Sequence, residues 1–270
     1  MREGPKRFAA LGECMVELQE REPGVMTRTF GGDTLNTAVY MARRLTPGVA
    51  EIDYVTALGD DPFSEEMLAA WRNEGVGTAL VARLPGRLPG RYVISTDGGG
   101  ERSFHYWRSA AAARELFRSP LGETLGERLA GYDLVYLTGV SLGVLPPEDR
   151  ERLFAVLAKV RAGGGRIAVD SNYRPGIWPD AADAAAWMHR LLGHCDIALP
   201  TFGDEAALFG AHDAPAAAAH LHRLGVGEVV VKQGAAPAVL SLAGAVTEVS
   251  AVPVAAVVDT TAAGDAFNAG

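Results

Sequence analysis

Phe8-Ala9-Ala10-Leu11-Gly12 is a short apolar run closed by glycine, the pattern of a buried strand in a parallel sheet. From Cys14 to Phe30 apolar and polar positions alternate loosely, which predicts a small two-stranded piece with one face exposed, outside the main sheet. Asp33 precedes Leu35, Ala38, Val39, Ala42 and Leu45, a helical stripe with an acidic N-cap and a Pro47-Gly48 stop. Ile52 to Gly59 reads as a strand, and Asp61-Pro62 opens a helix from about Phe63 to Glu74 with Met67, Leu68 and Trp71 on one face. Residues 90–108 hold two alternating runs, Arg91 to Thr96 and Arg102 to Trp107, joined as a hairpin by Asp97-Gly98-Gly99-Gly100. Strands over 134–138, 166–170, 197–200 and 228–232 then alternate with helices over 147–162, 182–194, 203–209 and 214–224. Strands separated by helices of this length predict a parallel sheet covered on both faces, so the fold class is α/β. The alanine-rich tracts at 181–186 and 214–219 read as helix and suggest no chemistry.

Composition narrows the function classes. The 270 residues suffice for one large α/β domain or two small ones, and for a sizeable core. Their 33 acidic side chains outnumber 25 basic ones, a net charge of −8 that gives no basis for a nucleic-acid-binding surface. An anionic ligand therefore needs a local cluster of arginine, lysine or helix N-termini. Cys14 and Cys195 have no partner at metal or redox spacing, which excludes a disulfide scaffold or zinc ribbon. The six histidines show no metal-site spacing, and His220 and His222 point to different sides of a helix. No apolar run is long enough to span a bilayer, and Glu13 interrupts the N-terminal one too early for a signal peptide, so a cytoplasmic protein is expected.

Two segments carry chemistry. In Val257-Val258-Asp259-Thr260-Thr261-Ala262-Ala263-Gly264-Asp265 a strand is expected to end at Asp259 and a helix to begin near Gly264. The free amides of Ala262, Ala263, Gly264 and Asp265 would then converge on an anion. A phosphoryl group held there lies beside Asp265, whose carboxylate can take the proton of an attacking hydroxyl. The alternative is that Asp265 merely stabilises its own helix terminus. In Gly31-Gly32-Asp33-Thr34-Leu35-Asn36, two glycines let a polyol approach the backbone, and Asp33 and Asn36 share one helix face. Neither a Walker A string nor Gly-x-Gly-x-x-Gly occurs, which argues against a dinucleotide-dependent oxidoreductase.

Gly31-Gly32-x-x-x-Asn36 and Asp259-Thr260-x-Ala262-Ala263-Gly264-Asp265 resemble the two signatures of the ribokinase-like (PfkB) carbohydrate kinases. Together with Gly12-Glu13-Cys14-Met15-Val16-Glu17-Leu18, Tyr54-Val55-Thr56-Ala57-Leu58-Gly59, Tyr106-Trp107-Arg108 and Asn172-Tyr173-Arg174-Pro175, they are similar to the bacterial 2-keto-3-deoxygluconate kinases of that family. The resemblance implies one ribokinase-like α/β/α domain over residues 1–270, with a central mostly parallel sheet. A small β lid from about 14–31 and 90–108 would pair with a second lid in a homodimer. It implies ATP-dependent phosphorylation of the sugar acid at its terminal primary hydroxyl, with Mg²⁺ on the phosphates. Another sugar kinase of the family is the neighbouring alternative.

Carried over by position, Gly32, Asp33 and Asn36 would contact the sugar acid, Tyr92 and Tyr106 would reach it from the lid, and Asp265 would be catalytic. Arg108 and Arg174 would supply charge for the carboxylate, which a guanidinium pairs bidentately. Asn172, Lys232 and Gly234 would line the ATP phosphates, with Arg174 open to either ligand, and Ala262, Ala263 and Gly264 would form the anion hole. Glu205 would organise water around Mg²⁺, although Phe202 stands where relatives carry asparagine. Relatives continue for several helices beyond Gly270, so a non-catalytic sugar-acid binder is the alternative if the chain ends there.

Overall fold

The computed structural model describes residues 4–22, 24–46, 48–96, 102–257 and 259–270. Thirteen strands and nine α-helices are found among the described residues. The strands are β1 (Lys6–Leu11), β2 (Met15–Glu22), β3 (Val25–Gly31), β4 (Ala50–Leu58), β5 (Val81–Arg83), β6 (Arg91–Thr96), β7 (Arg102–Trp107), β8 (Leu134–Thr138), β9 (Arg166–Asp170), β10 (Ile197–Ala198), β11 (Glu228–Val231), β12 (Ala238–Leu242) and β13 (Ala245–Val249). The helices are α1 (Asp33–Arg44), α2 (Pro62–Asn73), α3 (Pro120–Leu129), α4 (Gly139–Val144), α5 (Pro147–Ala162), α6 (Ala181–Leu192), α7 (Phe202–Phe209), α8 (Ala214–Arg223) and α9 (Ala263–Asn268).

Nine strands form one sheet in the order β13-β12-β11-β10-β9-β8-β1-β4-β5, and four form a second sheet, β3-β2-β6-β7. In the large sheet β5, β4, β1, β8, β9, β10 and β11 run parallel, while β12 and β13 add an antiparallel hairpin at one edge. The period of two along each central strand sends side chains to opposite faces. Ala9, Leu11, Val55, Val135 and Leu137 pack with helices α3, α5, α6 and α8. Ala10, Tyr54, Leu58 and Tyr136 pack with Leu35 of α1 and with Met67, Leu68 and Trp71 of α2. This is the expected three-layer arrangement, with a smaller separate sheet formed by the segments expected to make a lid.

Several local expectations are corrected. The strand foreseen to end at Asp259 is absent: described residues 251–257 are irregular and exposed, Val252 at 86%. Pro253 lacks an N–H for a ladder, and β13 already occupies that sheet edge. Asp33 is the first helical residue of α1, whose N-cap is Gly32 with no side-chain cap. That helix ends at Arg44; Pro47 and the hairpin connection Asp97-Gly98-Gly99-Gly100 lie outside the described residues. β10 covers Ile197–Ala198 only, and α2 starts one residue early, with Asp61 capping the amides of Phe63 and Ser64. The sequence pattern did not announce β5, α3, α4 or the β12-β13 hairpin.

Candidate active site

The chain runs from β1 to β4 on one side of the sheet and later to β8 on the other, so the direction of winding reverses between β1 and β8. In open α/β sheets such a reversal leaves a crevice at the carboxyl ends of the strands. Those ends here carry Glu13 after β1, Thr138 at the end of β8, Asp170 at the end of β9 and Lys232 after β11. α1 and α9 pack against each other over the same crevice.

Asp265 sits in the first turn of α9, half-buried. Asn36 Nδ2 donates to its Oδ2 at 2.8 Å, and Thr37 Oγ1 donates to its backbone carbonyl at 3.2 Å. The Gly-Gly helix thus holds the catalytic candidate directly. Burial pushes the Asp265 carboxyl up to about 6, opposed by the Asn36 hydrogen bond and reinforced by the charges of Asp33 and Asp170. Ala263 N–H donates to Thr260 O at 3.2 Å, closing a turn. The expected four-amide hole therefore reduces to the amides of Ala262, Gly264 and Asp265, which meet no acceptor among the described residues. Ala262 has φ +57, a left-handed conformation that glycine adopts at no steric cost and alanine only against strain.

Asn36 and Asp33 are both committed within the protein. Asp33 Oδ2 accepts from Thr138 Oγ1 and from Asn172 Nδ2, each at 2.6 Å, and its Oδ1 accepts from Thr34 N at 2.8 Å. Asn172 has φ +35, and its N–H donates to Asp170 Oδ1 at 3.1 Å. Lys232 is only 7% exposed, and its Nζ donates to Asp170 Oδ2 at 2.6 Å and to Asn268 Oδ1 at 2.7 Å. Asn268 Nδ2 in turn donates to Asp170 Oδ2 at 2.7 Å and to Tyr136 OH at 3.0 Å. Lys232, expected along the ATP phosphates, has its ammonium engaged in this structure with the buried Asp170 carboxylate and with Asn268. Gly234 follows in a left-handed turn at φ +63.

Glu205 is fully buried; Ser171 Oγ donates to its Oε1, while Oε2 has no donor among the described residues. Burial raises this carboxyl to about 7. The described residues hold no group of three His, Cys, Asp or Glu side chains able to bind a metal. The donor set among the described residues therefore fits a cation carried by a nucleotide's phosphates better than a metal held by the protein alone.

On the small sheet, Tyr92 OH donates to Glu17 Oε2, and the rings of Tyr92 and Tyr106 lie 5.6 Å apart, with Tyr106 half exposed. Arg108 leaves β7 and pairs with the buried Glu13 through Nε at 2.8 Å and through Nη2. Burial raises the Glu13 carboxyl, and the Arg108 charge opposes the rise. Arg174 is exposed, its Nη1 donating to Tyr173 O at 2.9 Å. The structure thus joins Asn36 and Asp265, and joins Asp33 and Asn172, but leaves Arg174 apart from this network. Asp170, Thr138, Asn268 and Glu13 were missed in the sequence. Each has an ordinary local context, and only sheet order shows that strand ends bring them together.

A sequence model of the pfkB family carbohydrate kinases matches residues 6–270. The chain belongs to the pfkB family of carbohydrate kinases. It is 47% identical over 268 residues to the 2-dehydro-3-deoxygluconokinase of Escherichia coli, covering 98% of this chain and 86% of that one. Among solved pfkB-like folds, the fructokinase of Xylella fastidiosa with bound ATP superposes with a TM-score of 0.83 at 25% identity, covering 98% of this chain and 79% of that one. A ribokinase II of E. coli in complex with ATP and Mg²⁺ superposes with a TM-score of 0.82 at 23% identity, covering 98% and 84%. A pfkB-family kinase is a phosphotransferase, and the α/β body with its separate small sheet is the architecture of these neighbours. No helix among the described residues is long and apolar enough to cross a membrane.

Proposed function

We propose that this enzyme phosphorylates 2-keto-3-deoxygluconate at its terminal primary hydroxyl, with ATP as donor, giving 2-keto-3-deoxy-6-phosphogluconate. The observation that carries it is the Asp265 carboxylate held by Asn36 beside three unengaged amides, in a chain closely similar to a 2-dehydro-3-deoxygluconokinase. With Asn36 on Oδ2, Oδ1 remains to accept the proton of the attacking hydroxyl. The amides of Ala262, Gly264 and Asp265 face the oxygens that gain charge in transfer, and catalysis is chiefly positioning and charge neutralisation. ATP brings the phosphoryl group and Mg²⁺ on its phosphates, to which Asn172 and, through water, Glu205 are assigned. Arg108 and Arg174 are the cations assigned to the sugar carboxylate, Arg108 at the lid base being the better placed. Exposed Val25, Met26, Phe104 and Trp107 on the lid strands support the homodimer face. Nothing in the fold or its relatives favours a non-catalytic binder.

The test is ADP release across 2-keto-3-deoxygluconate, ribose, fructose and adenosine. The expected result is turnover of the sugar acid with kcat/KM at least about 10-fold above the neutral substrates. Equal activity on a neutral sugar would sink the substrate assignment. A second expectation follows from the titration of Asp265. The base must be ionised and its carboxyl titrates at about 6, so kcat/KM rises with pH through that value and levels off above it. Asn36→Ala removes the hydrogen bond that favours the ionised form, so the acidic limb moves to higher pH. A pH–rate profile of the two proteins decides it, and coincident limbs would refute the Asn36 contact.

A further inference from the structure

We infer that Glu13 is the positioning residue for Arg108, fixing its guanidinium by the Nε/Nη2 side at the root of the lid so that Nη1 is presented to the sugar acid's carboxylate. The inference rests on the substrate reading above.

Four stretches of chain pass between the main body and the lid: residues 12–14 into β2, 32 out of β3, 88–90 into β6 and 108–111 out of β7. All four meet at Glu13. Its backbone carbonyl is packed so closely on Gly32 that a Cβ there would lie 2.3 Å away, and a Cβ on Gly90 would lie 2.6 Å from its Oε1. Its Oε2 takes Nε and Nη2 of Arg108. Gly32 is held to glycine by the Glu13 backbone, and a side chain at Gly90 would press on the Glu13 carboxylate and on Met15.

The Glu13 side chain is 1% exposed and the Arg108 side chain 14%. Oε1 has no donor among the described residues, so Arg108 is the only hydrogen-bond partner of this buried carboxylate among them, with the charge of Arg114 adding a weaker attraction. A buried charge with one hydrogen-bonded counter-ion holds it strongly, because separation leaves the charge largely uncompensated. Arg108 Nη1 donates to nothing among the described residues, and the Tyr106 ring lies 5.8 Å from the guanidinium carbon on the lid side. A guanidinium engaged along one edge keeps its plane fixed and offers the remaining N–H groups in a set direction. Lysine at 108 cannot reproduce this, having no second edge. Glu13 thus plays no part in phosphoryl transfer and acts only through where it leaves Arg108.

The experiment measures kcat and KM for 2-keto-3-deoxygluconate and for its carboxylate-free 3-deoxyketose analogue in the parent, Glu13→Gln, Glu13→Asp, Arg108→Ala and the Glu13→Gln/Arg108→Ala pair. The expected result for Glu13→Gln is a rise of about 10-fold in KM for the sugar acid, kcat within about 3-fold, and an unchanged KM for the analogue. Glu13→Asp withdraws the carboxylate by one methylene, keeps the charge, and gives the same pattern should the glutamine protein fold poorly. In the double variant the sugar-acid KM matches that of Arg108→Ala alone, the non-additivity of a residue acting through its partner. Equal losses on both substrates, additive losses in the double variant, or an improved sugar-acid KM in Glu13→Gln would each overturn the proposal. The parent's own preference for the acid over the analogue reports on the substrate reading separately.

Discussion

Asp265→Asn is expected to lower kcat by about 10²- to 10⁴-fold with KM for sugar and ATP changed far less, the loss of a general base in the transition state. The substitution is nearly isosteric, and the asparagine's carbonyl oxygen can still accept from Asn36 Nδ2 where Oδ2 now does, at 2.8 Å. The amide nitrogen then faces the attacking hydroxyl, a donor where an acceptor is needed. Unfolding does not explain such a loss, as the sign of the titration shows. The folded-state carboxyl lies at about 6, above its ordinary 3.8. The folded state therefore binds this proton more tightly than the unfolded one, and stability falls as pH rises through the window between those values. Above it the ionised aspartate is a net cost to the fold, which asparagine relieves, so thermal melting at pH 8 should show the variant at least as stable as the parent. Near-parental kcat in a folded Asp265→Asn protein would remove Asp265 from the chemistry.

Much of this site was legible before any coordinates, and the reasons are local. A strand of five or six apolar residues closed by glycine, or a helical stripe such as Leu35-Ala38-Val39-Ala42, is written in adjacent positions. The same holds for a motif such as Ala262-Ala263-Gly264-Asp265, whose chemistry lies within one turn. What escaped was of two kinds. Elements whose signal is diluted went unseen: α3 carries Gly122 and Gly126 within ten residues, and β12 and β13 form an edge hairpin with exposed Leu242, Val246 and Val249. Partnerships across the sheet also went unseen. That Asp33 is taken by Thr138 and Asn172, or Arg108 by Glu13, depends on strand order, which sequence spacing does not encode. The resemblance named candidate residues but could not say which were already hydrogen-bonded to one another.

Lys232 shows the consequence most sharply, because its two readings predict different measurements. As an open phosphate ligand it would raise KM for ATP when removed and leave stability alone. In the structure it is a buried cation whose ion-pair partner, Asp170, is 4% exposed and also accepts from Asn268 and from the Asn172 amide. Removing one member of a buried pair strands the other's charge, at a cost of about 3–5 kcal/mol. Lys232→Met is therefore expected to lower the unfolding free energy by that amount, seen as a lower denaturant midpoint at unchanged slope. Asp170→Asn in the same chain removes the stranded charge while keeping a side chain that can meet Asn268, so the double variant should regain most of the loss. Function moves with it, because Asn268 ties the end of α9 to this pair and Lys232 helps hold the Asp265 carboxyl down. In Lys232→Met the acidic limb of kcat/KM should shift to higher pH, while KM for ATP changes little. A stability loss below about 1 kcal/mol accompanied by a raised KM for ATP would return Lys232 to the nucleotide and require the Asp170 contact to open when ATP binds.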